Sequence, residues 1–261
     1  MIKFIKKSLF KTLGLNTYLS LTQKAYLLAY TSGYLKKNDS YAWHYFAKNL
    51  IKADDTIIDI GANLGYFTKV FLDTINKEGH LYCVEPVEAY RNHLKKIIKN
   101  NTSVTLIPFA LGDKNEPSIT LGMPAAFKDL GYLRHGVVTL QTNDRLIASD
   151  YQFKSELKKG SEVFKDLQKI DYIKCDIEGH EVVVLKEMEE LLIKHRPLVQ
   201  LETWGEQLPV MLSFFASIGF NAYHLSKRKL VNASSLSTDE ISISDVLFAH
   251  ETRLERLKPY L

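Results

Sequence analysis

The chain has 261 residues, 46% hydrophobic and 25% charged, enough to bury one full core and a modest appendage. A net charge of +4 falls short of the footprint of a nucleic-acid binder, and no apolar run reaches the roughly 20 residues that span a bilayer. The expectation is one cytoplasmic domain, with Cys83 and Cys175, each inside an apolar run, as buried free thiols.

In chain order, Ile2, Ile5, Leu9 and Leu13 share one helical face, and Lys3, Lys6, Lys7 and Lys11 fall in the same turns. Such a basic amphipathic helix either docks on its own domain or makes weak peripheral contact with an anionic membrane surface. Aromatics from Tyr18 to Phe46 recur at helical spacing with a break at Ser32 and Gly33, so residues 1–52 read as a helical cover. Thr56 to Ile60 is then a β-branched strand, and Phe67, Val70, Phe71 and Ile75 mark the inward face of a helix. The pattern repeats with strand His80 to Val84, a helix from about Val87 to Lys99, and strand Val104 to Leu111. Leu121 to Val137 has no clear period and reads as a loop over the sheet edge. Strand Tyr172 to Ile177, a helix from about His180 to Leu192, strand Leu198 to Glu202 and a helix near Gln207 to Ile218 follow. Asn221 to Leu225 and Asp245 to His250 lack an intervening helix, which predicts an antiparallel pair at one edge. The fold class expected is α/β and Rossmann-like, with a mostly parallel seven-stranded sheet and an antiparallel edge strand.

Ligands of open α/β sheets lie beyond the carboxyl ends of the strands, where Asp59, Gly61, Asn63 and Gly65 stand. Glycine lets a backbone approach a ligand closely, and amides at a helix start hold a carboxylate. Asp59 can pair with an α-ammonium group, and Glu85, ending the second strand, can accept both hydroxyls of a ribose. Asn63 occupies the position where a nicotinamide-binding loop has its second glycine, so a nucleoside without a diphosphate fits better.

Three motifs stand in order: I-D-x-G-A-N-x-G at Ile58 to Gly65, E-P at Glu85 and Pro86, and D-x-E-G-x-E at Asp176 to Glu181. In these the chain resembles the FkbM-like group of class I methyltransferases, over roughly Thr56 to Glu202. The resemblance implies a class I methyltransferase domain over residues 53–261 with S-adenosyl-L-methionine as cofactor. It implies cofactor contacts at Asp59, Gly61, Asn63 and Gly65, with Glu85 on the ribose and Asp113 near the adenine, while Asp176, an acid at another strand end, is expected from its position to face the cofactor's methionine portion. Its implied reaction is O-methylation of a saccharide or small-molecule hydroxyl, such as a surface-polysaccharide precursor. The chain departs from the group at Thr142-Asn143-Asp144, where T-L-D is common. A non-catalytic cofactor-binding relative and, further off, a nicotinamide-dependent oxidoreductase are the alternatives.

Methyl transfer to oxygen requires alignment of acceptor and methyl, and removal of the hydroxyl proton. His180 is the first candidate base because its ordinary pKa suits neutral pH, with Glu178 orienting acceptor or base, Asp176 at the strand tip, and His135 in reserve. Glu181 and His180 also open a helix, where polar groups satisfy free amides. Asp176, Glu178 and Glu202, the last followed closely by Trp204, could ligate a divalent metal, which the sequence permits without demanding. His44, His93 and His195 show no metal-like spacing.

Overall fold

A computed structural model describes residues 2–142, 147–203, 205–233 and 245–261. Asn143, Asp144 and Trp204 lie outside the described residues, as do the side chains of Ile2, Lys3, Phe4 and Ile5 and of residues 128, 129 and 148–150. Helix α1 (Ile2–Thr31), interrupted at Gly14 (φ 70°), and short α2 (Ala42–Phe46) precede the first strand. Two βαβ units follow: β1 (Thr56–Ile60), α3 (Tyr66–Leu72), β2 (His80–Val84), α4 (Glu88–Ile98) and β3 (Val104–Ile107). After β4 (Ala110–Gly112), β5 (Glu116–Pro124), β6 (Thr139–Leu140) and β7 (Ile147–Lys159), the α/β pattern resumes. It runs through α5 (Gly160–Val163), β8 (Tyr172–Cys175), α6 (Glu181–Glu187), α7 (Glu189–His195), β9 (Leu198–Leu201), α8 (Gln207–Ser217) and β10 (Phe220–Ser226). Strands β11 (Lys229–Asn232) and β12 (Val246–His250) complete the sheet.

The main sheet has the order β11-β10-β12-β9-β8-β1-β2-β3. Seven of these strands form the expected Rossmann-like sheet, in which β12 runs antiparallel to both β9 and β10 and so lies inside rather than at the edge. The eighth, β11, extends the sheet as an antiparallel edge strand through a turn at Lys227 and Arg228, both at positive φ. Period-2 alternation divides the core between the two faces. Ile58, Ile60, Ile173, Cys175 and Val199 pack against Val184, Leu185 and Met188 on one side. Ile57, Leu81, Cys83 and Tyr172 pack against Phe67, Phe71, Leu94 and the α2 residues Trp43 and Phe46 on the other. Both cysteines are buried and free.

The stretch expected to be a loop over the sheet edge is built differently. Leu121 to Pro124 end β5, which joins β4, β6 and β7 in a second, four-stranded sheet. Ala125–Leu130 and His135–Val137 are 3-10 turns. Gly122 and Pro124 hide the strand in the sequence, although buried Ile119, Leu121 and Met123 alternate along it. The expected strand Val104 to Leu111 likewise divides into β3, on the main sheet, and β4, which pairs with β7. A third apolar cluster joins Phe10, Tyr18 and Leu19 of α1 to Tyr90, Leu121, Met123 and Tyr132, so α1 docks on this insertion. Gln23 Nε2 also donates to the carbonyls of Leu64 (2.7 Å) and His93 (3.0 Å), tying α1 to the loop after β1.

Candidate active site

The tips of β1, β2 and β8 open onto a pocket with an empty volume of about 750 Å³, part of it open to solvent. Gly61, Asn63, Glu85, Asp176, Glu178 and His180 line it, with apolar walls that include Ile60, Val84, Leu111, Leu121 and Leu140. The insertion closes one side: Thr139 Oγ1 donates to the Glu178 carbonyl (2.9 Å), and Asn63 Nδ2 donates to the His135 carbonyl (3.1 Å).

The loop after β1 is shaped mainly by the protein itself. Gly61 has φ 84°, and a Cβ there would stand 1.9 Å from the Asp176 carbonyl oxygen on the neighbouring strand. Gly65 (φ 86°) is needed for conformation and for space, since a Cβ would meet Ile97 and Leu94 within 2.8 Å. The amides of Gly61 and Ala62 both donate to the Val84 carbonyl, and the Gly65 amide donates to that of Ala62. These three amides are spent on fixing the loop. Gly65 lies behind the pocket lining.

Glu85 sits at the tip of β2, buried, accepting from the amides of Asn63 (2.8 Å) and Val87 (2.7 Å) through separate oxygens. Burial pushes its pKa up to about 7 despite these bonds and the nearby Arg91 guanidinium. Each oxygen keeps acceptor capacity for a further donor. Two buried polar atoms in the same wall, Asn63 Oδ1 and the Tyr90 hydroxyl, have no hydrogen-bond partner among the described residues.

Asp59 does not reach the pocket lining. Strand alternation turns it with Ile57 toward α3, where Thr68 Oγ1 donates to Oδ2 at 2.8 Å. There it belongs to a polar row crossing four strands in register, Cys83-Asp59-Lys174-Gln200. Lys174, 2% exposed, lies beneath the strand tips. Its Nζ is 2.6 Å from Asp176 Oδ2 and 4.8 Å from the Phe67 ring centre. Burial alone would lower its pKa, but Asp176, Asp59, Asp245 and Glu202 raise it overall. Asp59 is pushed up to about 6 by burial, with Lys174 and Thr68 restraining the shift. Sequence reading missed Lys174. The signal was a lysine inside the otherwise apolar run Tyr172-Ile173-Lys174-Cys175.

Beyond β8 the chain turns sharply, with Glu178 at φ 58° and Gly179 at φ 100°. A non-glycine residue there costs about 1–2 kcal/mol, a strain found more often at working sites than elsewhere. Buried Glu181 secures the helix start as expected, its Oε1 accepting from the amides of Ile177 (2.9 Å) and Gly179 (3.0 Å). Burial would raise the Asp176 carboxyl, but Lys174 and a hydrogen bond from Glu202 hold it below its ordinary value. Glu202 carries the shared proton, its pKa pushed up to about 10 by burial and by Asp176. Burial and the neighbouring Asp176 and Glu181 carboxylates push Glu178 up to about 8. Asp176, Glu178 and Glu202 each bring an oxygen within 4.8 Å of the others, so the three could hold a cation.

Asp113 is exposed in the turn after β4 and stands outside the pocket lining. His135 lines the pocket, meets the Tyr66 hydroxyl at 3.2 Å, and is held neutral at about 4 by burial, with Lys6 and Arg134 adding to the shift. His44, whose spacing was not metal-like, stacks on Phe67 (4.1 Å). Burial and Lys174 lower its pKa to about 3.

The sheet order, with its interior antiparallel strand and a pocket at the strand tips, is that of class I methyltransferases. The description "Methyltransferase FkbM domain" matches residues 59–222, and the chain belongs to this family. Among solved structures, the methyltransferase FkbM of Methylobacillus flagellatus KT shares the fold at 14% identity and TM-score 0.52. That alignment covers 80% of this chain and 48% of the other, so the chain spans about half the length of that protein. Precorrin-6y C5,15-methyltransferase of Geobacter metallireducens GS-15 aligns at 12% identity and TM-score 0.40, over 78% and 82% of the two chains. Fibrillarin of Aeropyrum pernix, solved with natively bound S-adenosyl-L-methionine, aligns at 11% identity and TM-score 0.41, over 76% and 66%. No curated protein matched the sequence.

The family's cofactor is S-adenosylmethionine, and the pocket suits it. Glu85 has acceptor capacity for a diol, Asn63 Oδ1 and the Tyr90 hydroxyl are open partners for polar groups, and the apolar walls can flank an adenine. Ionised Glu85 accepts from two hydroxyls, whereas its protonated form must use one oxygen as a donor. With a pKa near 7, affinity for S-adenosylmethionine is expected to rise about tenfold between pH 6 and pH 8. Glu85→Gln should flatten the profile in calorimetric titration, and an unchanged slope would remove the ribose assignment.

Proposed function

We propose that the chain transfers the methyl group of S-adenosylmethionine to a hydroxyl oxygen of a saccharide or other small-molecule acceptor, with a surface-polysaccharide precursor the leading class. When bound, the cofactor supplies an activated methyl on a sulfonium leaving group. The protein then has to align the acceptor and take up its proton. The observation behind this reading is Glu178, a half-buried carboxylate in the pocket wall with a pKa near 8. Ionised, it is a stronger base than a solvated glutamate, and we assign it the hydroxyl proton. His180, in the same wall, orients acceptor or base. Asp176, kept anionic by Lys174, stands on the methionine side. Gly61 and Asn63 form the loop under the cofactor, Gly65 fixes that loop from behind, and Glu85 holds the ribose. Asp59 acts through Lys174 rather than by touching the ligand, and Asp113 contributes no side chain to the adenine wall. Residues 1–52 serve as a helical cover on a methyltransferase domain of residues 53–261.

Calorimetric titration should show binding of S-adenosylmethionine and none of NAD. Candidate glycans bearing a free hydroxyl should then yield S-adenosylhomocysteine. Product formed equally well from acceptors whose hydroxyls are blocked would overturn O-methylation. His180→Ala is expected to reduce turnover by more than a few-fold, and a smaller loss removes it from the acceptor side. The proposal does not require a metal, although Asp176, Glu178 and Glu202 could hold one. Turnover should therefore survive exhaustive chelation. A loss restored by magnesium would show that the three carboxylates bind a working cation.

A further inference from the structure

The first 52 residues carry nine lysines against a single acid, Asp39, a net +8 in a chain whose total is +4. Charge is thus concentrated on the N-terminal helices, and the remainder is net acidic. The segment of α1 after Gly14 has two distinct faces. Tyr18, Leu19, Gln23 and Tyr26 are buried against the domain. Thr17, Leu21, Lys24, Leu28 and Thr31 follow the i, i+4, i+7 spacing of a single stripe on the other side. On that stripe Leu21 is 43% exposed and Leu28 71% exposed. Before the kink, Leu9 and Leu13 are also exposed, among Lys6, Lys7 and Lys11. After the helix, Tyr34 is 71% exposed, followed by exposed Lys36 and Lys37.

A helix apolar on both faces has one face too many for a single docking partner. The inner face is covered by the protein itself: Tyr18 and Leu19 pack with Tyr90 of α4 and with the insertion, Gln23 bonds to Leu64 and His93, and Tyr26 stacks on Tyr66 of α3. The outer leucines, with Lys24 between them and lysines before the kink and after the helix, match a surface that is negatively charged outside and apolar a few ångströms in. A second copy of the chain would bring its own +8 against this face. We propose that the outer face of α1 docks on an anionic lipid bilayer, with Leu21 and Leu28 entering the headgroup boundary and Lys24, Lys36 and Lys37 meeting the anionic headgroups. No helix among the described residues is long and apolar enough to cross a membrane, so the contact is peripheral. The docking is independent of the acceptor and of methyl transfer.

The test is co-sedimentation of the full chain with vesicles of phosphatidylcholine, with and without phosphatidylglycerol. Binding is expected only with phosphatidylglycerol, and it should weaken as salt screens the lysines. Leu21→Glu with Leu28→Glu should lower the partition about tenfold or more, as should charge reversal at Lys24, Lys36 and Lys37. All five side chains are exposed, so thermal melting should be unchanged and S-adenosylmethionine binding retained in both variants. Absence of wild-type binding to anionic vesicles overturns the proposal, as does equal binding by the leucine variant. Self-association removed by the leucine pair, without vesicle binding, would assign the face to a second copy instead.

Discussion

Glu178→Gln is expected to lower turnover about 10²- to 10⁴-fold while leaving affinity for S-adenosylmethionine within a few-fold of wild type. The amide keeps the shape and the strained turn but cannot take a proton. In the wild type only the ionised carboxylate serves as base, so kcat/KM should rise about tenfold per pH unit below about 8 and level off above it. The sign follows from the direction of the shift: burial and two acidic neighbours favour the protonated form, so raising the pH creates the active species. The same shift makes ionised Glu178 unfavourable for folding as pH rises from its ordinary value toward 8, and Glu178→Gln should melt no lower than wild type at pH 8. An inactive variant with a lower melting temperature would point to a structural role, and a fully active one would end the base assignment.

Lys174→Met should lower folding stability by about 3–5 kcal/mol at neutral pH, measured by denaturant unfolding. The lysine is a buried cation facing Asp59, Asp176 and Asp245, with protonated Glu202 beside them, and its removal leaves the buried carboxylate charge uncompensated. Its folded-state pKa is raised above the ordinary 10.5, so its contribution is fully present below that value and is lost only as pH rises past it. The penalty of the substitution should shrink toward acidic pH, because burial already raises Asp59 to about 6 with Lys174 restraining the shift, and without the lysine it takes up a proton more readily still, which removes one of the orphaned charges. A loss under about 1 kcal/mol would mean that water enters the row and screens it.

Much of this architecture is legible in the sequence because it depends on local signals. The β-branched run Thr56 to Ile60, the glycine-bounded turn and the Phe67-Val70-Phe71 stripe specify strand, loop and helix without reference to distant residues. Three motifs at three strand ends then bring Gly61, Asn63, Glu85, Asp176, Glu178 and His180 to one pocket, because every parallel strand presents its carboxyl end to the same side. The second sheet was not legible. Its β5–β7 pairing joins residues up to about 40 positions apart, and Gly122 and Pro124 look like turn residues when read alone.

What the sequence by itself determined is the family of fold, the cofactor and the ring of strand-tip residues, since these rest on periodicity and on motifs whose spacing survives any detail of packing. Tertiary structure decided which side of a strand each of those residues serves and what charge it carries. Asp59 and Glu85 each end or nearly end a strand, yet alternation sends one under α3 to Thr68 and the other into the pocket wall. Glu178 and Asp176 are two residues apart, yet Lys174 holds one low while burial lifts the other toward 8. A carboxylate's proton affinity is set by the dielectric and the charges that folding brings within a few ångströms, and the order of residues along the chain does not contain that information until the strands have paired.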